Sequence, residues 1–320
     1  MYFWVVKTKP TLNSYDIIGD IHGCALDLWR LLHQLGYELR SASYAHPKGR
    51  KAVFLGDYID RGPHIREVLH TVRNMVESGS AHAILGNHEV NAIRYHTTGP
   101  DGRPLRKHSP KRKAQHRATM TQLSQREIHD WIGWFAGLPL ALDLGPIRAV
   151  HACWDARAIE ELNAIGRLEG DKLVHYSIKG TRAYDTISLL INGPEALLPG
   201  TNRQITGDGV ARRAVRIKWW TNIRNVRAAE AVFPPDPSIP NYPLLDVPYL
   251  DYDKDSPITF FGHYAIKSRH PSPITPRLAC LDYGCGKFGQ ICAYRWDGET
   301  ELDPGKFVMP RWSDDLEAAK

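Results

Sequence analysis

Short apolar runs alternate with amphipathic stretches along the first half of the chain. Residues 14–19, 52–55, 83–85 and 147–150 each hold a compact apolar centre, such as Ile17-Ile18, Val53-Phe54-Leu55 or Ile84-Leu85. Runs this short, bounded by glycine and polar residues, predict buried strands. Between them the apolar positions change period. Leu28, Leu31, Leu32 and Leu35 recur at i, i+3, i+4 and i+7 and stop at Gly36, which predicts a helix with one buried face. Ile65, Val68, Leu69, Val72, Met75 and Val76 predict a second helix, with Pro63 suited to its first turn. Ser124-Gln125-Arg126-Glu127 is a capping box, and the helix it opens carries Ile128, Trp131, Ile132 and Phe135 before Pro139. Strand–helix alternation predicts an α/β fold with a parallel, helix-flanked sheet. Further strands are expected at 259–261, 278–281 and 290–294, the last two forming a closing hairpin.

The stretch 155–257 breaks this pattern. It has weak periodicity and scattered basic residues, and Pro234, Pro235, Pro237, Pro240, Pro243 and Pro248 make its end irregular. It reads as an insertion that caps the catalytic face, because its two ends must both return to one place, near His151 and His263. The chain is therefore expected to be a single domain over residues 1–320, with insertions at about 95–123 and 155–257. With 42% hydrophobic residues it can bury a real core, which excludes disorder. No stretch approaches the ~20 apolar residues of a transmembrane helix. The patch Tyr2-Phe3-Trp4-Val5-Val6 is too short for a signal peptide and is expected to be a first strand or a docked arm. Five cysteines, an odd number, point to reduced thiols and a cytoplasmic protein. Cys280, Cys285 and Cys292 lack a C-x-x-C spacing or a local histidine, so they are expected as buried strand residues.

Charge adds a partner class. The net charge of +6 favours anionic partners. Much of the excess is Arg103, Arg106, Lys107, Lys111, Arg112, Lys113 and Arg117, with no acid between Asp101 and Glu127. Such runs usually mark a solvated surface. This one closely follows Gly86-Asn87-His88-Glu89 and could overhang a site there. His46, His96, His108 and His116 read as residues of polar loops, His33 and His70 as helical, and His82 as early in a strand; no chemistry is expected of them.

The candidate chemistry lies at the strand ends, where α/β sheets hold ligands. Five blocks occur in order: Gly19-Asp20-Ile21-His22-Gly23, Gly56-Asp57-Tyr58-Ile59-Asp60-Arg61-Gly62, Gly86-Asn87-His88-Glu89, Ala149-Val150-His151-Ala152, and Gly262-His263. Each acid, amide or imidazole follows an apolar run. Such mixed oxygen and nitrogen donors suit manganese, iron or zinc, and a carboxylate between two ions can bridge them at roughly 3.5–4 Å. A neutral Asn adds an oxygen without further anionic charge, which keeps a two-metal site positive. Arg61 offers a planar fork to phosphate oxygens, and His88 has the pKa of a general acid.

These blocks resemble the calcineurin-like metallophosphoesterases. Within them they are similar to the phosphoprotein phosphatase branch, with its bacterial and phage members and its symmetrical dinucleoside tetraphosphatases. The resemblance runs from about Asp16 to about Trp296 and is dense only at the blocks. It implies a β-sandwich flanked by helices, with the cap as an insertion. It implies that Asp20, His22 and Asp57 hold one metal, and that Asp57, Asn87, His151 and His263 hold a second. It further implies that Arg61 binds the substrate phosphate, that His88 protonates the leaving group and that Asp60 orients His88. Arg212, Arg213 and Arg216 are candidates for a second phosphate clamp. Leu85 stands where eukaryotic Ser/Thr phosphatases carry Arg, their Ser-Ala-Pro-Asn-Tyr-Cys loop is missing, and Tyr283 replaces the Thr of the family's Asp-Thr-Gly. A bacterial or phage-like member fits better than a eukaryotic one.

The expected function is two-metal hydrolysis of phosphate esters. A metal-bridging hydroxide attacks phosphorus, and the activity is phosphomonoesterase or protein phosphatase-like. Manganese is expected first, with iron or zinc as alternatives. The partner is an anionic phosphate ester and not a membrane. One alternative is a symmetrical dinucleoside polyphosphate hydrolase, which the basic run and Trp219, Trp220, Tyr242 and Tyr249 would suit. A non-catalytic nucleic-acid-binding protein of the same fold is the other; it would need broken ligands, and none is broken.

Overall fold

The computed structural model describes residues 5–7, 14–165, 170–198, 200, 202–205, 211–221, 227–239 and 255–310. Two five-stranded sheets face each other. One runs in the order Val5–Lys7, Ala141–Asp143, Ile147–Val150, Ile258–Phe261, Leu278–Cys280. The other runs Phe307–Val308, Ala293–Trp296, Tyr15–Ile18, Lys51–Phe54, Ala81–Ala83. The motif-bearing strands run parallel to one another within each sheet: Tyr15–Ile18 with Lys51–Phe54, Lys51–Phe54 with Ala81–Ala83, and Ile147–Val150 with Ile258–Phe261. Neither sheet is the purely parallel one expected, however: Ala293–Trp296 pairs antiparallel with Tyr15–Ile18, and Ala141–Asp143 antiparallel with Ile147–Val150.

Successive residues of these strands enter two cores. Ile17 and Val53 pack inward against Ile147, Ala149, Ile258 and Phe260 of the other sheet. Ile18 and Phe54 face outward, under helices. Strands buried on both faces read as continuous apolar runs, and that is why they were visible in the sequence. The helices Ala25–Gln34 and Ile65–Glu77 bury the leucine and valine stripes on the outer face. Removing Leu31, which is fully buried there, would cost about 2–5 kcal/mol. Pro63 lies just before the second helix rather than in its first turn, because His64 N–H is already bonded to Gly23 O at 2.9 Å and serves as the cap. The capping box at Ser124 forms, with Ser124 Oγ accepting from Glu127 N–H at 3.3 Å. Asp282–Tyr283 and Gln290–Ile291 make the expected hairpin, which carries the chain from one sheet to the other.

Two expectations change. The stretch after residue 155 is more regular than its sequence suggests. It forms the helices Ala156–Ile165 and Arg182–Asn192, whose Ile159, Leu162, Ile187 and Leu190 join the main core. Ala214–Ile217 centres a small antiparallel sheet with Val232–Phe233 and Glu195–Leu197. Prolines and arginines between these stripes hid the period. Trp219 is buried and meets Phe261 edge-on at 5.3 Å, and half-buried Trp220 packs on Phe261 and Tyr264. These rings fill the core beneath the cap and are not free to stack on a base. Tyr242, Tyr249, Pro240, Pro243, Pro248, residues 2–4 and the tail from Arg311 lie outside the described residues. Cys280, Cys285 and Cys292 are buried free thiols, but of the three only Cys280 lies in a strand: Cys285 sits in a turn and Cys292 between the strands Gln290–Ile291 and Ala293–Trp296. Among the described residues no helix is long and apolar enough to cross a membrane.

Candidate metal centre

The strand ends converge on one place. Asp20 and His22 leave Tyr15–Ile18; Asp57, Asp60 and Arg61 follow Lys51–Phe54; Asn87 and His88 open the helix Asn87–His96; His151 follows Ile147–Val150, and His263 follows Ile258–Phe261. Among the described residues, six that are not glycine have positive φ. Five of them are here: His22 (47°), Asp57 (54°), Asp60 (67°), Arg61 (65°) and His263 (65°). Each such conformation costs on the order of 1–3 kcal/mol and lasts only where its surroundings enforce it. The flanking glycines leave room for the carboxylates. A Cβ on Gly262 would lie 2.1 Å from Asp20 Oδ1, and one on Gly86 2.2 Å from Asp57 Oδ1.

The imidazoles are aimed by their outer nitrogens. His22 Nδ1 meets Ile59 O at 3.0 Å, and His151 Nδ1 meets Leu55 O at 2.7 Å. Each ring therefore presents Nε2 to the centre. His22 Nε2 lies 3.4 Å from Asp57 Oδ2 and 3.9 Å from Asp20 Oδ2. His151 Nε2 lies 3.4 Å from Asp57 Oδ1. Asn87 Oδ1 sits between His151 Nε2 at 3.1 Å and His263 Nδ1 at 3.0 Å. His263 N–H points at both Asp20 oxygens, at 3.3 and 3.4 Å. The groups His22, Asp57, His88 and Asp57, His151, His263 each bring ligand atoms within 4.8 Å of one another, and Asp57 belongs to both.

The donors suit divalent ions. His22 Nε2 and His263 Nε2 are buried without a hydrogen-bond partner. Burial pushes His22 down to about 3, and burial with Arg216 alongside holds His263 well below the ordinary range. Both shifts favour the neutral imidazole, the form that binds metal. At His151 burial acts the same way, but Asp57 outweighs it and pushes the ring up to about 10, so an ion there would have to displace its proton. Burial would raise the Asp57 carboxyl, but His151 and His88 hold it far below the usual range. Burial together with Asp282 pushes Asp20 well up. Two carboxylates in a dry site need compensating positive charge.

Glu89, to which the sequence assigned no role, organises this loop from behind. Its buried carboxylate accepts N–H from Asp57 and Tyr58, each at 2.8 Å, from Gly86 at 3.0 Å and from Ile59 at 3.3 Å. Burial and Asp57 push its carboxyl up to about 7, against these donors.

His88 turns Nδ1 to Asp60 Oδ2 at 2.5 Å, with Nε2 on the side of the centre, 3.9 Å from Asp57 Oδ2. Burial would lower its pKa; Asp57 and Asp60 outweigh that and raise it. Asp60 Oδ1 meets His116 Nδ1 at 2.8 Å and Thr119 Oγ1 at 2.6 Å. This overturns the reading of His116 as a loop residue without a partner. It is buried on the helix Pro110–Gln122, and His96 ends the helix Asn87–His96. The helical spacing of His116 and Thr119 was present in the sequence, but their partner lies more than fifty residues away.

Arg61 is exposed and borders a cleft of ≈ 580 Å³ together with His88, Gln115 and Arg117. Arg216 Nη1 donates to His263 O at 3.1 Å, and its guanidinium lies 5.0 Å from the centre of the Tyr264 ring. Arg212 and Arg213 are exposed in the cap, where Arg213 Nε donates to Leu198 O. Cys24, Asp27 and Cys285 form a separate group with donor atoms within 4.8 Å, beside the His22 turn.

A sequence profile described as calcineurin-like phosphoesterase matches residues 15–177, a little over half of the chain. A protein of Halalkalibacterium halodurans named asymmetrical bis(5'-nucleosyl)-tetraphosphatase PrpE is 48% identical over 82 residues, covering 26% of this chain and 33% of the relative. A protein of the same name from Oceanobacillus iheyensis is 33% identical over 138 residues, 43% of this chain and 54% of the relative. The matches thus span a third to about half of these relatives' length. A protein serine/threonine phosphatase of Saccharomyces cerevisiae aligns over 98% of this chain and 85% of its own, with TM-score 0.51 and 14% identity, a likeness of fold.

Proposed function

The chain belongs to the calcineurin-like phosphoesterase family, and from that premise we propose that it is a metal-dependent phosphoric ester hydrolase with a two-metal centre. Asp20, His22 and Asp57 would hold one divalent ion, and Asp57, Asn87, His151 and His263 the other, with manganese first among the candidates. The observation that carries this is the shared carboxylate of Asp57, which belongs to two ligand groups, one with His22 and His88 and one with His151 and His263, and beside which His22 Nε2 is buried without a hydrogen-bond partner. Bound there, divalent ions would supply an activated water and neutralise phosphoryl oxygens.

The remaining residues act on substrate directly. Arg61, exposed at the cleft, takes the phosphate in a bidentate grip. His88 gives its Nε2 proton to the departing oxygen while Asp60 keeps the Nδ1 proton in place. We read the whole chain as one domain, with the segments 95–123 and 155–257 inserted around this face. A phosphomonoester is one substrate class. A dinucleoside polyphosphate is favoured as the second by the names of the relatives, which are asymmetrical hydrolases rather than the symmetrical kind expected from the sequence, and by Arg117, which lines the same cleft as Arg61.

The test uses protein stripped by a chelator and reloaded with manganese, iron or zinc. It is assayed on nitrophenyl phosphate, a phosphodiester, a phosphopeptide and diadenosine tetraphosphate. Turnover should vanish on stripping and return on reloading with about two ions per chain. Full turnover by metal-free protein would overturn the reading.

A further inference from the structure

The helix Pro110–Gln122 grows out of the basic segment, yet its inner face is tied to the acid loop. His116 Nδ1 donates to Asp60 Oδ1 at 2.8 Å. Thr119 Oγ1 donates to the same oxygen at 2.6 Å and accepts Asp60 N–H at 3.0 Å. Gln122 Nε2 donates to Gly62 O at 2.9 Å, and its Oε1 accepts Ile65 N–H at 2.8 Å. Residues 116, 119 and 122 are three apart and share one stripe of the helix. Behind them His96 Nε2 stands 3.0 Å from His116 Nε2.

The protons in this array have few choices. Asp60 takes Nδ1–H of His88 on one oxygen and two donors on the other, so it is an ionised acceptor. His116 therefore carries a proton on Nδ1. Burial, with His116 and His108 beside it, pushes His96 down to about 4, so His96 is a neutral ring that can share one proton with His116 Nε2. A carboxylate saturated in this way cannot rotate. It leaves His88 one orientation, with Nε2 towards the cleft. The helix also restrains Asp60 and Arg61, whose φ of 67° and 65° need outside support.

The same helix lines the cleft. Gln115 and Arg117 border it together with Arg61 and His88. We propose that Pro110–Gln122 is the leaving-group wall of the site: Gln115 and Arg117 receive the departing half of a phosphate ester, while His116 and Thr119 hold Asp60 so that His88 can protonate it. His116 and Thr119 are positioning residues. The inference rests on the reading of His88 as general acid.

The test uses the metal-loaded full chain with His88→Asn, His116→Phe, His116→Asn and Thr119→Val, assayed on nitrophenyl phosphate and on phenyl phosphate, a poorer leaving group. His88→Asn should lower turnover of phenyl phosphate by about 10²–10⁴-fold, and of nitrophenyl phosphate by much less. His116→Phe and Thr119→Val should lower kcat on phenyl phosphate by about 10–100-fold and several times less on nitrophenyl phosphate, with bound metal and KM unchanged. His116→Asn, whose amide replaces the Nδ1 donor, should recover most of the loss. Thr119→Val, close in shape to the native residue, keeps the test open where His116→Phe fails to fold. If His88→Asn shows no leaving-group preference, the general-acid reading falls and this inference with it. If His88→Asn shows the preference but His116→Phe and Thr119→Val hit both substrates equally or neither, only the role of the helix is overturned.

Discussion

Two elements meet at the cleft: the loop after a strand, where Asp57, Asp60 and Arg61 have φ of 54°, 67° and 65° and Arg61 reaches the cleft, and the helix Pro110–Gln122, which gives it Gln115 and Arg117 and keeps His116 and Thr119 buried behind. In the loop wall the chemistry is built into the backbone. Main-chain N–H groups of residues 57, 58 and 86 are spent on Glu89, and Asp57 Oδ1 is occupied by His88 N–H at 3.0 Å. In the helix wall only side chains reach the site, and the main chain satisfies itself. A change in the loop should therefore fail as a unit, and a change in the helix should give a graded response.

The largest effect is expected at Asp57, which both ligand groups share. Asp57→Asn removes the bridging charge and should lose bound metal and turnover together. Metal per chain, read by elemental analysis, and hydrolysis of nitrophenyl phosphate check this. A variant that keeps two metals and near-native turnover would remove the loop wall from the centre of the comparison.

Glu89→Ala comes next. It leaves buried N–H groups of Asp57, Tyr58 and Gly86 without their acceptor, at about 1–3 kcal/mol for each donor left unsatisfied, though not additively. Gln122→Ala on the helix wall breaks two hydrogen bonds at a half-buried position and should cost only about 1–2 kcal/mol. Denaturant unfolding of both variants compares the walls directly. Equal losses would show that the loop is no more constrained than the helix.

The two walls also differed in how far the sequence revealed them. The loop residues were legible because strain and chemistry confine them to a few neighbouring positions. Asp57, Asp60 and Arg61 span five residues, closed by Gly56 and Gly62, after a run of buried strand residues. The sheet was legible for a related reason, since strands buried on two faces have little freedom in composition. His116 and Thr119 follow ordinary helical spacing inside a run of lysines and arginines that reads as solvent-facing. Their partner, Asp60, lies 56 and 59 residues away, and only the fold brings it near. Glu89 was inside a recognised block but lacked a role, because its partners are backbone groups that no side-chain pattern announces. Trp219 and Trp220 erred in the opposite direction: aromatic content suggested a ligand, and packing used the rings for the core.

The smallest effect, and the finest division, lies within the basic run itself. Arg117 borders the cleft with Arg61, whereas Lys111 and Lys113 are exposed on the same helix and do not line that cleft. If the run only steered anions from a distance, removing any of these charges should matter alike, since screened attraction depends little on the exact site. A direct contact to a second phosphate would instead single out Arg117. Arg117→Ala should then raise KM for diadenosine tetraphosphate by about tenfold, the size of a lost charge-assisted hydrogen bond, and leave kcat nearly unchanged. For nitrophenyl phosphate, which offers no second phosphate, the change should be slight. Replacing Lys111 and Lys113 together should shift either KM less than Arg117→Ala does, with a weaker salt dependence as its main sign. Initial rates on both substrates at two ionic strengths settle the point. Equal shifts from Arg117→Ala and the double lysine change would reduce the run to long-range steering and leave the helix wall without a phosphate contact of its own.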